Sequence, residues 1–195
     1  MKKAFLSLLL LGLCISLAAQ SNDTICYHYY ANNSTDQSTR QADMYDVILL
    51  FVNNGKECYY YGNTDDFMHS REGCLAGFIT LKAENLFMEN GKISITLNSE
   101  DLDFYSEPIE LGLHNKSDIL KAGYHHWLQA PVDGWAKAKL EGTFTDSTMT
   151  LVNETFDPYD SLIFYKESYE YVKSIYKRNL ITKEDERDNR DFDEL

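Results

Sequence analysis

Residues 61–73 are the least generic stretch of this chain: Tyr61, Asp66, His69 and Arg71 set aromatic, acidic and basic groups beside a predicted helix N-terminus. Arg71 suits an anionic or hydroxyl-rich ligand at a rim, with Tyr61 stacking on it and Asp66 alongside. The competing reading, favoured because exposed ion pairs are common, is that Arg71 meets Asp66 and pins the loop. Trp127 and Trp135 complete the ligand-binding set as a stacking platform for a sugar, against a reading as plain packing. His125 and His126 are adjacent, and neighbours on an extended chain point to opposite faces, so they are ill placed to share a metal. His28, His69 and His114 are scattered, and the sequence holds neither a His-Glu-x-x-His nor a Gly-x-Ser-x-Gly pattern. Asp101 with Asp103, and Asp188 with Asp191 and Asp193, have calcium-like spacing but lack the glycine and closing glutamate of a calcium loop. With 31 carboxylates in the chain, some pair always looks convenient for acid–base chemistry, and a solvated surface is the plainer reading. No catalytic residue, metal ligand or cofactor is assigned.

Cys26, Cys58 and Cys74 follow the apolar N-terminus. An oxidising compartment would join two of them and leave one thiol. Cys58 and Cys74 flank one compact turn-helix segment and form the first-choice pair; Cys26 with Cys58 is the alternative.

The elements that must position these groups read mainly as strands. Residues 25–30 are strand-like and run into a polar loop at 32–40. Residues 45–52 are short, apolar and β-branched, as a central strand is. Asn53, Asn54 and Gly55 turn that strand back through residues 57–61, since Asn and Gly tolerate the positive φ of a tight hairpin. A short helix is predicted from Thr64 to Gly73, then a strand around 78–82. A second hairpin turns at Asn90 and Gly91, and Ile93, Ile95 and Leu97 alternate with polar residues, which gives that strand one wet face. Extended pattern continues through 102–105 and 109–111, with Pro108 marking an edge or bend. Ser117 is the predicted cap of a short helix from Asp118 to Ala122. A third hairpin covers 135–152, and 162–165 reads as a closing strand. The period then turns helical: Tyr165, Tyr169, Val172 and Tyr176 share one face, predicting a C-terminal helix over about 166–180. Residues 182–195 hold three bases and seven acids and read as a disordered acidic tail.

About eight to ten short strands with consecutive hairpins make an antiparallel β-barrel, with a β-sandwich as the alternative. Over residues 44–178 this succession of hairpins followed by a helix resembles the lipocalin-like (calycin) exported β-barrels. The resemblance is architectural. Gly134 and Trp135 come late and lack the spacer of the Gly-x-Trp that a lipocalin carries on its first strand, so no ligand chemistry transfers.

Lys2 and Lys3, the apolar run 4–15 and the small residues Ser16, Ala18 and Ala19 form the charge–apolar–small order of a secretory signal over residues 1–20. The run is too short to span a bilayer, which takes roughly 20 apolar residues, and no transmembrane segment is assigned. A periplasmic, surface or extracellular bacterial address follows. Lipidation at Cys14 is an alternative, weakened by Leu13 just before it. The C-terminal Phe-Asp-Glu-Leu and several Asn-x-Ser/Thr sites keep an endoplasmic-reticulum lumen as another. Removing residues 1–20 takes two bases and no acids, leaving 16 Lys and Arg against 31 Asp and Glu, a formal charge of −15 over residues 21–195. Such a surface repels phosphate backbones and disfavours nucleic acid. The 14 tyrosines, none in the leader, favour strands with apolar rings and polar tips. The reading is an exported, non-enzymatic domain over 21–181 that binds a small molecule. A protein-interaction or inhibitor module, and a hydrolase with unidentified acids, stand as alternatives. N-terminal sequencing of the exported product should find the cut after Ala18 or Ala19; an unprocessed Met1 would overturn the leader assignment.

Overall fold

A computed structural model describes residues 24–31, 46–63, 77–98, 103–127, 137–153 and 157–175. The expected leader at 1–20, the helix expected from Thr64 and the expected tail at 182–195 lie outside these residues. Eleven antiparallel strands form one sheet in the order β5-β6-β9-β10-β11-β1-β2-β3-β4-β7-β8. They are β1 (Ile25–Tyr29), β2 (Val47–Val52), β3 (Glu57–Asn63), β4 (Phe78–Lys82), β5 (Asn85–Glu89), β6 (Lys92–Asn98), β7 (Phe104–Tyr105), β8 (His126–Trp127), β9 (Lys137–Phe144), β10 (Thr148–Asn153) and β11 (Asp157–Glu167). Two helices are described, α1 (Lys116–Lys121) and α2 (Tyr169–Ile175). None of the described helices is long and apolar enough to cross a membrane.

The sheet curls. β4 and β6 stand seven places apart in the strand order yet lie against each other. In a flat sheet they would be separated by about 34 Å. The chain passes from β4, paired with β3, straight into β5, paired with β6, through Ala83 and Glu84. The Ala83 amide donates to the Cys58 carbonyl on β3 at 2.8 Å, and the next amide, Glu84, donates to Thr96 on β6 at 2.9 Å. One bent strand therefore serves both flanks. The terminal strands β5 and β8 are not paired with each other, and the sheet is not closed.

Two apolar clusters follow from alternation along the strands. Val47, Leu49 and Phe51 of β2 enter the first, with Tyr60, Ile93, Ile95, Leu97, Met149, Leu151 and Phe164. Ile48 and Leu50 face the opposite way, into a second cluster with Tyr61, Tyr105, Ile109, Leu111, Ile119, Tyr124 and Val172. β2 is thus buried on both faces, which is why it reads as a continuous apolar run. β6 has one buried face, and Lys92, Ser94 and Thr96 look outward.

Local chemistry sets the boundaries. The hairpins turn on positive φ at Asn53 (54°), Asn54 (58°) and Gly55 (75°), and at Asn90 (52°) and Gly91 (73°). Asn115, not Ser117, caps α1: its side-chain oxygen accepts the Asp118 amide at 3.0 Å, and the helix starts two residues before the expected Asp118. The C-terminal helix begins at Tyr169 rather than about 166, because β11 runs on to Glu167 in register with β1. Ser168 then accepts the Tyr171 amide on its hydroxyl and the Val172 amide on its carbonyl. Residues 109–110 are irregular and Leu111 opens a turn, so this stretch is not strand.

The two ends of the sheet differ. The tight turns β2–β3, β5–β6 and β9–β10 sit at one end. The longest connections leave from the other: 30–46 after β1, 64–77 after β3 and 99–103 after β6.

Gly142 of β9 lies between Ile93 and Leu151 on the first-core face. A Cβ there would run into the Thr150 carbonyl on β10, so glycine lets the two backbones close at the bend. Gly142→Ala should lower stability by about 1–3 kcal/mol, read as a lower urea midpoint at unchanged m-value.

Candidate functional site

The most unusual polar group in the described residues is the pair of His28, on β1, and Asp46, just before β2. Both side chains are fully buried, and His28 Nε2 lies 2.8 Å from Asp46 Oδ2. Asp46 Oδ1 accepts the Ala31 amide at 2.9 Å. One carboxylate therefore holds two points of the chain 15 and 18 residues away, and fixes the base of the connection between β1 and β2. The Tyr30 ring lies against the imidazole, tilted by 32° at 3.8 Å between centroids, and reaches Glu167 with its hydroxyl. His28 Nδ1 is buried and finds no partner. With Nε2 engaged by the carboxylate, Nδ1 is the ring atom left without a hydrogen-bond partner.

Half of a catalytic triad is present in outline, with Cys26 two residues before His28 on the same face. The chemistry does not follow. Burial, then the nearby Glu167 charge, pushes the Cys26 thiol up to about 12, so it stays protonated and poorly nucleophilic. The imidazole has no exposed edge for a substrate. The pair works as a clamp.

Tyr61 belongs to a second polar constellation. It is 1% exposed. Its oxygen accepts the Gly112 amide at 3.1 Å and lies 3.1 Å from His114 Nδ1. Burial raises the Tyr61 pKa, so the phenol stays neutral and donates to His114. Burial also holds His114 below the ordinary imidazole range, against the pull of Asp118 and Glu57, which suits an accepting Nδ1. Tyr59 stacks on His114 at 4.1 Å, and its hydroxyl donates to Glu57, which also pairs with Lys82. Tyr61 thus ties β3 to the segment covering the second core.

His125 and His126 take different partners: His125 faces Glu107 at 3.6 Å and His126 faces Asp103 at 2.7 Å. Lys116 also pairs with Asp103. The described residues contain no group of three or more metal-ligating side chains.

Of the predicted ligand-binding residues, Trp127 ends β8 opposite Phe104. Asp66, Arg71 and Trp135 lie outside the described residues. β3, which carries Tyr61, and β8, which ends at Trp127, are joined through β4 and β7. The chain reaches Asp66 and Arg71 from the end of β3, and Trp135 comes just before β9. Cys26 and Cys58 are free, buried thiols, and burial raises the pKa of Cys58 as well. Cys74, the expected partner of Cys58, lies outside the described residues. The alternative pairing of Cys26 with Cys58 is excluded. They sit two strands apart, about 10 Å by strand spacing, on opposite faces of the sheet.

The sequence reading left His28 among scattered histidines and passed over Asp46. The available signal was an Asp opening the most apolar strand, where a carboxylate has no reason to stand unless something binds it. No protein family, curated protein or solved structure matches this chain.

Truncating either partner strands the other in the core. His28→Ala and Asp46→Ala should each cost about 3–5 kcal/mol in urea unfolding, with the double variant costing less than the sum.

Proposed function

We propose that this is an exported, non-enzymatic binding protein whose curled sheet works as a lipocalin-like β-barrel, taking a small or extended ligand at the end that carries the long connections. The observation behind it is the asymmetry of the sheet: three short hairpin turns at one end, and the long connections after β1, β3 and β6 at the other. Function concentrates in loops held by a rigid scaffold, and barrel mouths are common ligand sites. Following the strands round in chain order supports the barrel reading. β1, β2, β3, the bent β4–β5 segment, β6, β9, β10 and β11 each pair with the next, and β11 pairs with β1. In the proposed barrel these are the eight up-and-down positions, with the bent strand as the seam. β7 and β8 extend the ladder outside it.

The proposed ligand groups are Tyr61 as support, and Asp66, Arg71, Trp127 and Trp135 as contacts. The hydrolase alternative gains nothing from the described carboxyls whose pKa moves. Glu57, Asp118 and Glu141 are lowered, chiefly by hydrogen bonds from Lys82, Asn115 and Lys139, whereas a general acid needs the opposite shift. The proposed address is the periplasm, cell surface or medium of a bacterium.

Native mass spectrometry of the protein purified from its own host should show a co-purifying small molecule, reduced in the Arg71→Ala and Trp135→Ala variants. A clean apo mass with a bound protein partner would overturn the proposal in favour of an interaction module.

A further inference from the structure

β5 begins the strand order and pairs with β6 along its whole length, and no other described strand pairs with it. Leu86 and Met88 pack toward the first core. Phe87 faces the other way and, at 52%, is the most exposed of the described large apolar side chains. Natural edge strands are blunted by lysine, proline or a bulge. Asn85, Leu86, Phe87, Met88 and Glu89 supply none of these, and their register with β6 is unbroken. The two-residue turn at Asn90 and Gly91 makes Glu89 and Lys92 the hydrogen-bonded pair next to it. By alternation, the amides and carbonyls of Leu86 and Met88 then aim away from β6.

We propose that β5 is the seam of a two-fold dimer, in which a second copy of this chain adds its own β5 antiparallel, with Phe87 on the axis. The sequence is self-complementary about that residue. Phe87 meets Phe87 of the other copy in the close, non-hydrogen-bonded position, where aromatic cross-strand pairs contribute most. Leu86 stands opposite Met88, so the first core of one copy continues into that of the other. Asn85 stands opposite Glu89, so an amide faces each carboxylate and no two like charges oppose. Moving the axis to Leu86 or Met88 would set Phe87 against Asn85 or Glu89 and lose the match. A second copy satisfies the free amides and covers Phe87 in one step. Each copy carries a formal charge of −13, or −15 without the leader, which opposes association and is screened by salt.

Sedimentation velocity on the exported chain should show a monomer–dimer equilibrium that moves toward dimer with concentration and with added salt. Phe87→Lys places two ammonium groups on the axis and should raise the dissociation constant at least about tenfold. Phe87→Tyr should keep the dimer. Phe87→Cys should cross-link into a disulfide dimer under mild oxidation, beyond the level given by the wild-type chain with its own cysteines. A chain that stays monomeric at every concentration and salt overturns the proposal. So does a dimer unchanged by Phe87→Lys, a Phe87→Cys variant that does not cross-link, or β5 taking up a different polypeptide while the chain itself remains monomeric.

Discussion

The structure is governed by the need to bury β2 on both faces. Val47, Leu49 and Phe51 point one way and Ile48 and Leu50 the other, and none of the five is more than 2% exposed. A single layer cannot satisfy such a strand. The first face is covered because the sheet curls until the side chains of β6, β9 and β10 lie over those of β2. The second is covered by the excursion between β7 and β8 and by α2. The excursion and α2 touch each other as well, through the Tyr169 hydroxyl donated to the Leu111 carbonyl at 3.4 Å. Polar groups drawn into these layers had to find partners on the spot. The His28–Asp46 pair and the Tyr61–His114 contact are the two results.

Much of the architecture was legible. The hairpins at 53–56 and 90–91 announced themselves through Asn and Gly, because only those residues take positive φ cheaply. The alternation of Ile93, Ile95 and Leu97 gave the wet face of β6 directly. What escaped was non-local. Nothing near Ser117 shows that Asn115 caps α1 instead; the two residues are nearly equal as caps, and the choice depends on how the chain arrives from the second core. Tyr165 fits a helical stripe as well as a strand, and pairing with His28 on β1 decided for the strand. The continuity of β4 into β5 was invisible for the same reason. Residues 78–82 and 85–89 read as separate strands, and their shared role appears only when β3 and β6 are seen on either side of them.

The polar groups were the least legible part. Tyr61 stands out in the sequence for its mixed, charged neighbourhood, but nothing local announces that its hydroxyl meets Gly112 and His114 some fifty residues on. His28 and Asp46 stand 18 residues apart and carry no motif. Their meeting is produced by the register of β1 against β2, a quantity that composition and spacing do not encode.

The register of β1 against β11 has a mechanical consequence. Cys26 stands opposite Glu167, so the beginning of one strand and the end of the other lie side by side at the hairpin end. Force applied through the two flanking segments would pull those strand ends apart from the same edge. It would break the ladder one bond at a time, as a zipper opens, rather than shear all its bonds together. The curled sheet should therefore yield at low force along this line once α2 has lifted from β1, while β2, clamped on both faces, keeps its place longest.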